Sequence, residues 1–263
     1  MLTKVNFSAV VKAIISLVFF TVVVSSCKKN NGGVLPPENP DGKLEKLEEI
    51  DLNIAEPSGL SFGPDGKTLL IVSDNTNKVY ETNLKGTIIR TLAYTGTDLE
   101  GVGFDETTQT VAVTEERQRD LVFLDYSSGE EQERHHIETG GNTENKGLEG
   151  LSYSSNNSAW YMVNEDVPGE MIVWNKTFGN ITVEPLNFAS DYSGIYVDGD
   201  NALLYIVSDE SQTLYKCDYN AKVLLEYALP HTKFEGIAVD SQQQLVYLVN
   251  DKSGKLFIYK LIN

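Results

Sequence analysis

The chain is short of the residues on which several familiar chemistries depend. Of its 263 residues two are cysteine, Cys27 and Cys217, and three are histidine. Two cysteines cannot build the disulfide framework that holds small secreted domains, so stability has to come from buried area. Cys217 lies in the alternating run Leu214-Tyr215-Lys216-Cys217-Asp218-Tyr219, with no histidine or cysteine beside it, which reads as a small apolar strand residue. His135, His136 and His231 accompany no Gly-x-Ser-x-Gly elbow and read as surface imidazoles, which argues against a serine triad. Positive charge is also scarce: 21 Lys and Arg stand against 38 Asp and Glu, a net charge of −17. Affinity for phosphates comes from Lys and Arg, so the balance argues against nucleic acid, an anionic membrane face or a phytase-like phosphate site. Helical periodicity is missing as well beyond the N-terminal stretch.

The one long apolar run stands at the start. Lys4 and Lys12 precede an apolar stretch from Ala13 to Val24, which passes into Val24-Ser25-Ser26-Cys27. A basic start, an apolar centre and small residues before a cut make a secretory signal, and the run is short for a bilayer span of roughly 20 residues. The cysteine after small residues resembles the lipobox of bacterial lipoproteins. Residues 1–26 are therefore expected to be a lipoprotein signal peptide, with Cys27 the lipidated mature N-terminus. An uncleaved N-terminal anchor is the alternative. Either reading places the rest of the chain in the cell envelope, facing the periplasm or exterior and held to the membrane through its anchor only. Residues 27–43, rich in Asn, Gly and Pro without an apolar period, read as a flexible tether before a domain at 44–263.

What the domain does have is a repeat. Leu99-Glu100-Gly101-Val102-Gly103-Phe104 returns as Pro57-Ser58-Gly59-Leu60, Leu148-Glu149-Gly150-Leu151, Tyr192-Ser193-Gly194-Ile195 and Phe234-Glu235-Gly236-Ile237. The glycines lie 42, 49, 44 and 42 residues apart, the range of a repeated supersecondary unit. Within each unit short runs rich in Val, Ile, Tyr and Thr alternate with Gly, Asn and Asp, the pattern of hairpin-linked antiparallel strands. Four such strands every 40-odd residues describe a propeller blade. The fifth unit supplies only three before the sequence stops, while residues 46–54 offer a strand ahead of the first. The expectation is an all-β, five-bladed β-propeller whose last blade is closed by an N-terminal strand, which removes an open edge.

A second periodicity rides on the first. Fifteen residues after each repeat glycine, fourteen in the second unit, comes a carboxylate at the end of the second strand: Asp74, Glu115, Glu165, Asp209 and Asp251. Strand one leaves and strand two returns to the same propeller face. These five should therefore meet Glu100, Glu149 and Glu235, with Glu56 and Asp191 nearby, around one mouth of the channel. Like charges so close need protons, amides, basic neighbours or a cation. Oxygen donors without His or Cys suit Ca²⁺ better than Zn²⁺. The alternative is that each carboxylate caps its own blade. Tyr153, Tyr161, Tyr192, Tyr196 and Trp160 occupy alternating strand positions and read first as inter-blade packing, with Tyr192, beside the mouth, the one placed to stack on a sugar or other ligand as the alternative.

The repeated steps Asp98-Leu99-Glu100-Gly101, Leu148-Glu149-Gly150 and Phe234-Glu235-Gly236, with the Ser-Asp and Asn-Asp strand ends, are similar to the SdiA-regulated family of bacterial β-propellers. The resemblance runs over roughly 47–263 and implies a five-bladed propeller, distantly related to NHL-repeat proteins, with a calcium site. The functional expectation is a binding module that offers its acidic mouth to a small ligand or an envelope protein. A calcium-dependent lactonase or esterase is the enzymatic alternative, with the metal polarising a carbonyl and a carboxylate, Asp209 or Glu165, activating water.

Overall fold

The structure, a computed structural model, describes residues 42–138 and 146–262. The expected signal peptide, Cys27 and all of the tether before Gly42 lie outside those residues. Among the described residues the chain forms twenty strands, β1 to β20 in chain order. They build five four-stranded antiparallel sheets, the blades of a five-bladed β-propeller. Blade 1 is β2 (Pro57–Phe62), β3 (Thr68–Ser73), β4 (Lys78–Asn83) and β5 (Ile88–Thr95). Blade 2 is β6 (Leu99–Asp105), β7 (Thr110–Glu115), β8 (Asp120–Asp125) and β9 (Glu131–His136). Blade 3 is β10 (Leu148–Ser154), β11 (Ala159–Asn164), β12 (Glu170–Asn175) and β13 (Asn180–Pro185). Blade 4 is β14 (Gly194–Asp198), β15 (Leu203–Ser208), β16 (Thr213–Asp218) and β17 (Val223–Ala228).

Blade 5 takes β18 (Phe234–Asp240), β19 (Leu245–Asn250) and β20 (Lys255–Ile262), and β1 (Lys43–Asp51) lies outermost beside β20. The two ends of the domain are thus zipped in one sheet, from Leu44 opposite Leu261 to Asp51 opposite Lys255. Pairing starts at Lys43 and ends at Asp51, earlier at both ends than residues 46–54, because the register follows β20 rather than the apolar pattern. Gly42 is held too, its N–H donating to the Glu226 carbonyl at 2.9 Å.

Second strands such as Thr68–Ser73 and Leu245–Asn250 are apolar almost throughout instead of alternating. Each is sandwiched between neighbouring blades, and β3, β7, β11, β15 and β19 are buried at five or six of their six positions. The core is accordingly divided among the blade interfaces. Leu70 and Val72 meet Val102 and Val113. Leu121 meets Leu151 and Trp160, and Val163 meets Ile195 and Ile206. Val207 meets Phe234 and Leu248, and Ile71 with Leu60 meets Ala238 and Val249, which closes the ring. Burial of one such side chain contributes roughly 1.5–3 kcal/mol, so the ring needs no covalent staple.

The repeat glycine marks where the rings of backbone touch. In blades 1, 2, 3 and 5 the ladder between first and second strands skips the Ser-Gly or Glu-Gly pair, so two residues oppose one. Such a bulge bends the strand and re-aims its side chains. It turns each glycine against the next blade's inner strand, where a Cβ on Gly59 would lie 2.5 Å from the Glu100 carbonyl oxygen. Gly194 in blade 4, whose ladder has no such skip, approaches its neighbour as closely, with a Cβ 2.0 Å from the Glu235 carbonyl oxygen. Hydroxyls fasten the same seam: Ser58 Oγ donates to the Leu99 carbonyl at 2.7 Å and Thr114 Oγ1 to the Glu149 carbonyl at 2.9 Å.

Candidate metal centre at the acidic channel mouth

Every second strand ends at one face of the ring, and the residue after its last position is acidic in all five blades: Asp74, Glu116, Glu165, Asp209 and Asp251. The inner strands start at that face, where the bulges bring Glu100, Glu149 and Glu235 into the channel. Together with Asp191, Ser193 and Lys233 these eight carboxylates line a cavity of about 200 Å³. Seven of the eight residues expected to share the site therefore do so: Asp74, Glu100, Glu149, Glu165, Asp209, Glu235 and Asp251.

Glu115 does not join them, and its place is taken by Glu116. The final position of the second strand serves the loop in every blade, as with Ser73, Asn164, Ser208 and Asn250. Glu115 occupies that position. Its carboxylate accepts from Thr97 N (3.0 Å) and Tyr94 Oη (2.8 Å) and pairs with Arg134 Nη1 at 2.6 Å, clasping blade 2 to blade 1. The signal for Glu116 was present: it lies fifteen residues after Gly101, the spacing of the other four. Glu56 is exposed and outside the cavity lining, although its charge reaches Asp74 and Asp251.

Capping and crowding divide the ring between them. Asp191 accepts from Ser208 Oγ, from Glu210 N at 3.0 Å and from Asp209 N at 3.2 Å. Glu116 accepts from Gly147 N at 3.0 Å, and Asp209 from Lys233 N at 2.8 Å. Asp191 thus caps its own blade, as the alternative reading expects, whereas Glu116 and Asp209 accept from the loop that leads into the next blade. By contrast Asp74 Oδ1 is buried without a hydrogen-bond partner among the described residues. Among the described residues the one basic side chain in the lining is Lys233, whose Nζ sits 2.8 Å from Asp209 and 3.5 Å from Glu235. Burial works against its charge, but these two partners hold the ammonium above its usual range. Lys146 is taken by Asp166 at 2.6 Å and Arg117 by Asp98 at 3.2 Å.

Burial first, and the surplus negative charge second, keep protons on the carboxyls. Burial, reinforced by neighbouring carboxylates, pushes Glu100, Glu149 and Glu235 well above the carboxylate range. Asp74 rises to about 6, through burial first and then Asp251 and Glu56. Glu165 rises to about 7 through burial, with Lys146 opposing and Glu116 and Asp191 adding to it. A carboxyl raised in the fold binds its proton more tightly folded than unfolded. That stabilisation is complete below the unfolded pKa and is lost as pH rises through the folded one. With divalent ions chelated, the melting temperature is expected to be higher at pH 5 than at pH 8, across the span from Asp74 to Glu165. Glu49 and Asp125, held near 2, are ionised throughout that window and do not mask the effect. Melting curves in chelator check this, and a higher value at pH 8 would mean that the mouth acids are individually satisfied.

Other residues singled out in the sequence sit elsewhere. Tyr192 is buried with its hydroxyl accepting from Phe188 N and Ala189 N at 3.0 and 3.1 Å, so it packs blade 3 rather than facing a ligand. His135 pairs with Glu133 and leans on Trp174, His136 reaches Asp120, and His231 lies against Phe257. Cys217 is buried and has no disulfide partner among the described residues, its thiol pushed up to about 12 by burial.

Among the described residues two sets of carboxylate oxygens lie within 4.8 Å of one another: Asp98, Glu100 and Glu116, and Glu116, Glu149 and Glu165. Oxygens around one Ca²⁺ at 2.3–2.6 Å are separated by up to roughly 5 Å, so both sets have a calcium-compatible span. A ring of five four-stranded blades with a carboxylate-rich channel mouth defines the class, a five-bladed β-propeller. The model of the SdiA-regulated family matches residues 42–260, and the chain belongs to that family. Among solved structures, Myxococcus xanthus glutaminyl cyclase is similar at a TM-score of 0.67 and 12% identity, over 84% of this chain and 97% of that one. Kuenenia stuttgartiensis hydrazine synthase is similar at a TM-score of 0.52 and 10% identity, over 76% of this chain and 57% of that one. At such identities the likeness is one of fold.

Proposed function

We propose that this protein is a lipid-anchored module of the cell envelope that binds Ca²⁺ at the acidic channel mouth and presents it to a small ligand or an envelope protein. The observation that carries the reading is the Glu116, Glu149 and Glu165 set, three carboxylates from two adjacent blades with ligand atoms within 4.8 Å. Asp74 Oδ1, buried and unpartnered among the described residues, adds a second oxygen source at the same mouth. A cation there replaces the protons that the crowded carboxyls otherwise retain, and it ties neighbouring blades together. The anchoring part of the proposal rests on the apolar run before Cys27, and the net charge of −17 argues against nucleic acid as the partner.

The test is a melting curve of the full chain in chelator, in Mg²⁺ and in Ca²⁺. At calcium concentrations a hundred times the dissociation constant, binding adds about 2.7 kcal/mol, which raises the melting temperature by roughly 5–10 °C for a domain of this size. Mg²⁺ should give less, because it sheds water reluctantly and demands a stricter octahedron. Identical curves in chelator and in millimolar Ca²⁺ would remove the metal from the proposal.

A further inference from the structure

The opposite end of the channel carries a different chemistry. The inner strands run away from the acidic mouth for five to seven residues, and β2, β14 and β18 finish at a cavity of about 390 Å³ among blades 1, 4 and 5. At about 3.3 Å per residue this lies roughly 15–20 Å from the mouth. Phe62, Tyr196 and Tyr247 form its apolar side. The Phe62 ring stands edge-on to both tyrosines, 6.3 Å from Tyr196 at 84° and 5.5 Å from Tyr247 at 78°. Neither tyrosine hydroxyl makes a hydrogen bond to a described residue.

Carboxylates form the other side. Asp65, Asp198, Asp200 and Asp240 line the cavity, and among the described residues no Lys, Arg or His does. Two of them are fixed in place by their own turns. Asp198 accepts from Asn201 Nδ2 at 2.8 Å and from Ser241 Oγ, and Asp240 from Gln243 N at 2.9 Å and Nε2 at 2.7 Å. Asp200 is exposed, and Asp65 pairs with the exposed Lys67 at 2.7 Å. Burial, with the charges of Asp198 and Asp240 behind it, pushes the Tyr196 phenol up, as a negative local potential requires. An anion is repelled by this wall, and a bare metal ion leaves the rings unused. A cation with an apolar body uses both sides: ring faces attract positive charge through their quadrupoles, and the carboxylates add Coulomb attraction.

We infer that this far-mouth cavity is a second binding site, for a small organic ammonium ion. Its alkyl groups lie against Phe62, Tyr196 and Tyr247 and its nitrogen among the carboxylates of Asp65, Asp198, Asp200 and Asp240. The site is independent of the calcium reading, because it shares no residue with the acidic mouth.

Calorimetric titration of the full chain with choline chloride at constant ionic strength tests it, with glucose as a neutral control of similar size. Saturable choline binding is expected, unchanged in Glu116→Gln/Glu149→Gln at the other mouth. It should weaken roughly fivefold or more in Asp65→Asn/Asp200→Asn, since an exposed or half-buried charge pair contributes on that order. Both aspartates of that variant are exposed turn residues, so its fold is preserved, which a melting curve verifies. Phe62→Leu, which keeps an apolar side chain and removes the ring, should weaken binding as well. Absence of saturation, equal affinity in Asp65→Asn/Asp200→Asn, loss of binding in the Glu116→Gln/Glu149→Gln variant, or binding of glucose in place of choline would each overturn the assignment.

Discussion

Replacing Gly194 by alanine is expected to cost about 3 kcal/mol or more of stability, enough to leave much of the protein unfolded at physiological temperature. The new methyl would sit 2.0 Å from the Glu235 carbonyl oxygen, and that oxygen belongs to the inner strand of the next blade. It cannot swing aside as a side-chain tip would. Relief requires blade 5 to move outward, and blade 5 is locked to blade 1 through Leu60, Ile71 and Ala238 and to the N-terminal strand through β20. Strain at one seam of a closed ring is therefore shared by every other seam. Gly199→Ala is the control, because its nearest obstacle is the Asn156 amide at 3.1 Å, the far end of a side chain. Its cost should stay near 1 kcal/mol or below. Urea unfolding of both variants checks the comparison, and a loss below about 1 kcal/mol for Gly194→Ala would show slack between the blades.

The second large effect is expected from Glu116→Gln. Glu116 belongs to both carboxylate sets, so its charge serves either position a cation could take. Glutamine keeps the length and leaves an oxygen to accept from Gly147 N, so the loop stays capped. What is lost is one negative charge from a crowded ring. In chelator the variant should melt at or above the wild-type temperature, because a like charge has been removed. In Ca²⁺ it should lose the thermal shift. Glu115→Gln should behave in the opposite way: it keeps the calcium response but melts lower, because Arg134 loses a buried partner at 2.6 Å.

That pair of adjacent glutamates also shows how far the sequence could be read. The blades were legible because the ring imposes a strict condition at one spot per repeat. Only glycine fits where inner strands touch, so Gly59, Gly101, Gly150, Gly194 and Gly236 recur at blade spacing. Closure by the N-terminal strand followed from counting strands, and β1 beside β20 agrees with it. The side on which a side chain emerges was less legible. In a strand one residue of slip reverses the facing, and two glutamates in Thr114-Glu115-Glu116 offer both choices. The position three before the repeat glycine is equally variable, held by Glu56, Asp98, Gly147, Asp191 and Lys233. The backbone there is left-handed at Glu56, Asp98 and Lys233, yet of these only Lys233 lines the cavity, so neither the residue type nor the backbone hand at this position marks the mouth. The far cavity draws on the repeat as well, since Asp198 and Asp240 stand four residues after their repeat glycines and Asp65 and Asp200 six after theirs, but only blades 1, 4 and 5 line it, so the five-fold pattern did not single it out.

The central claim is that the acidic mouth is a calcium site centred on Glu116. It is tested most directly by calorimetric titration of Ca²⁺ into the full-length wild type and Glu116→Gln side by side at pH 8, where the carboxyls titrating near 6 and 7 have given up their protons. The account predicts a saturable isotherm for the wild type, with a dissociation constant of about a millimolar or tighter, and a flat trace for the variant. A flat wild-type trace, or two superimposable isotherms, would contradict it.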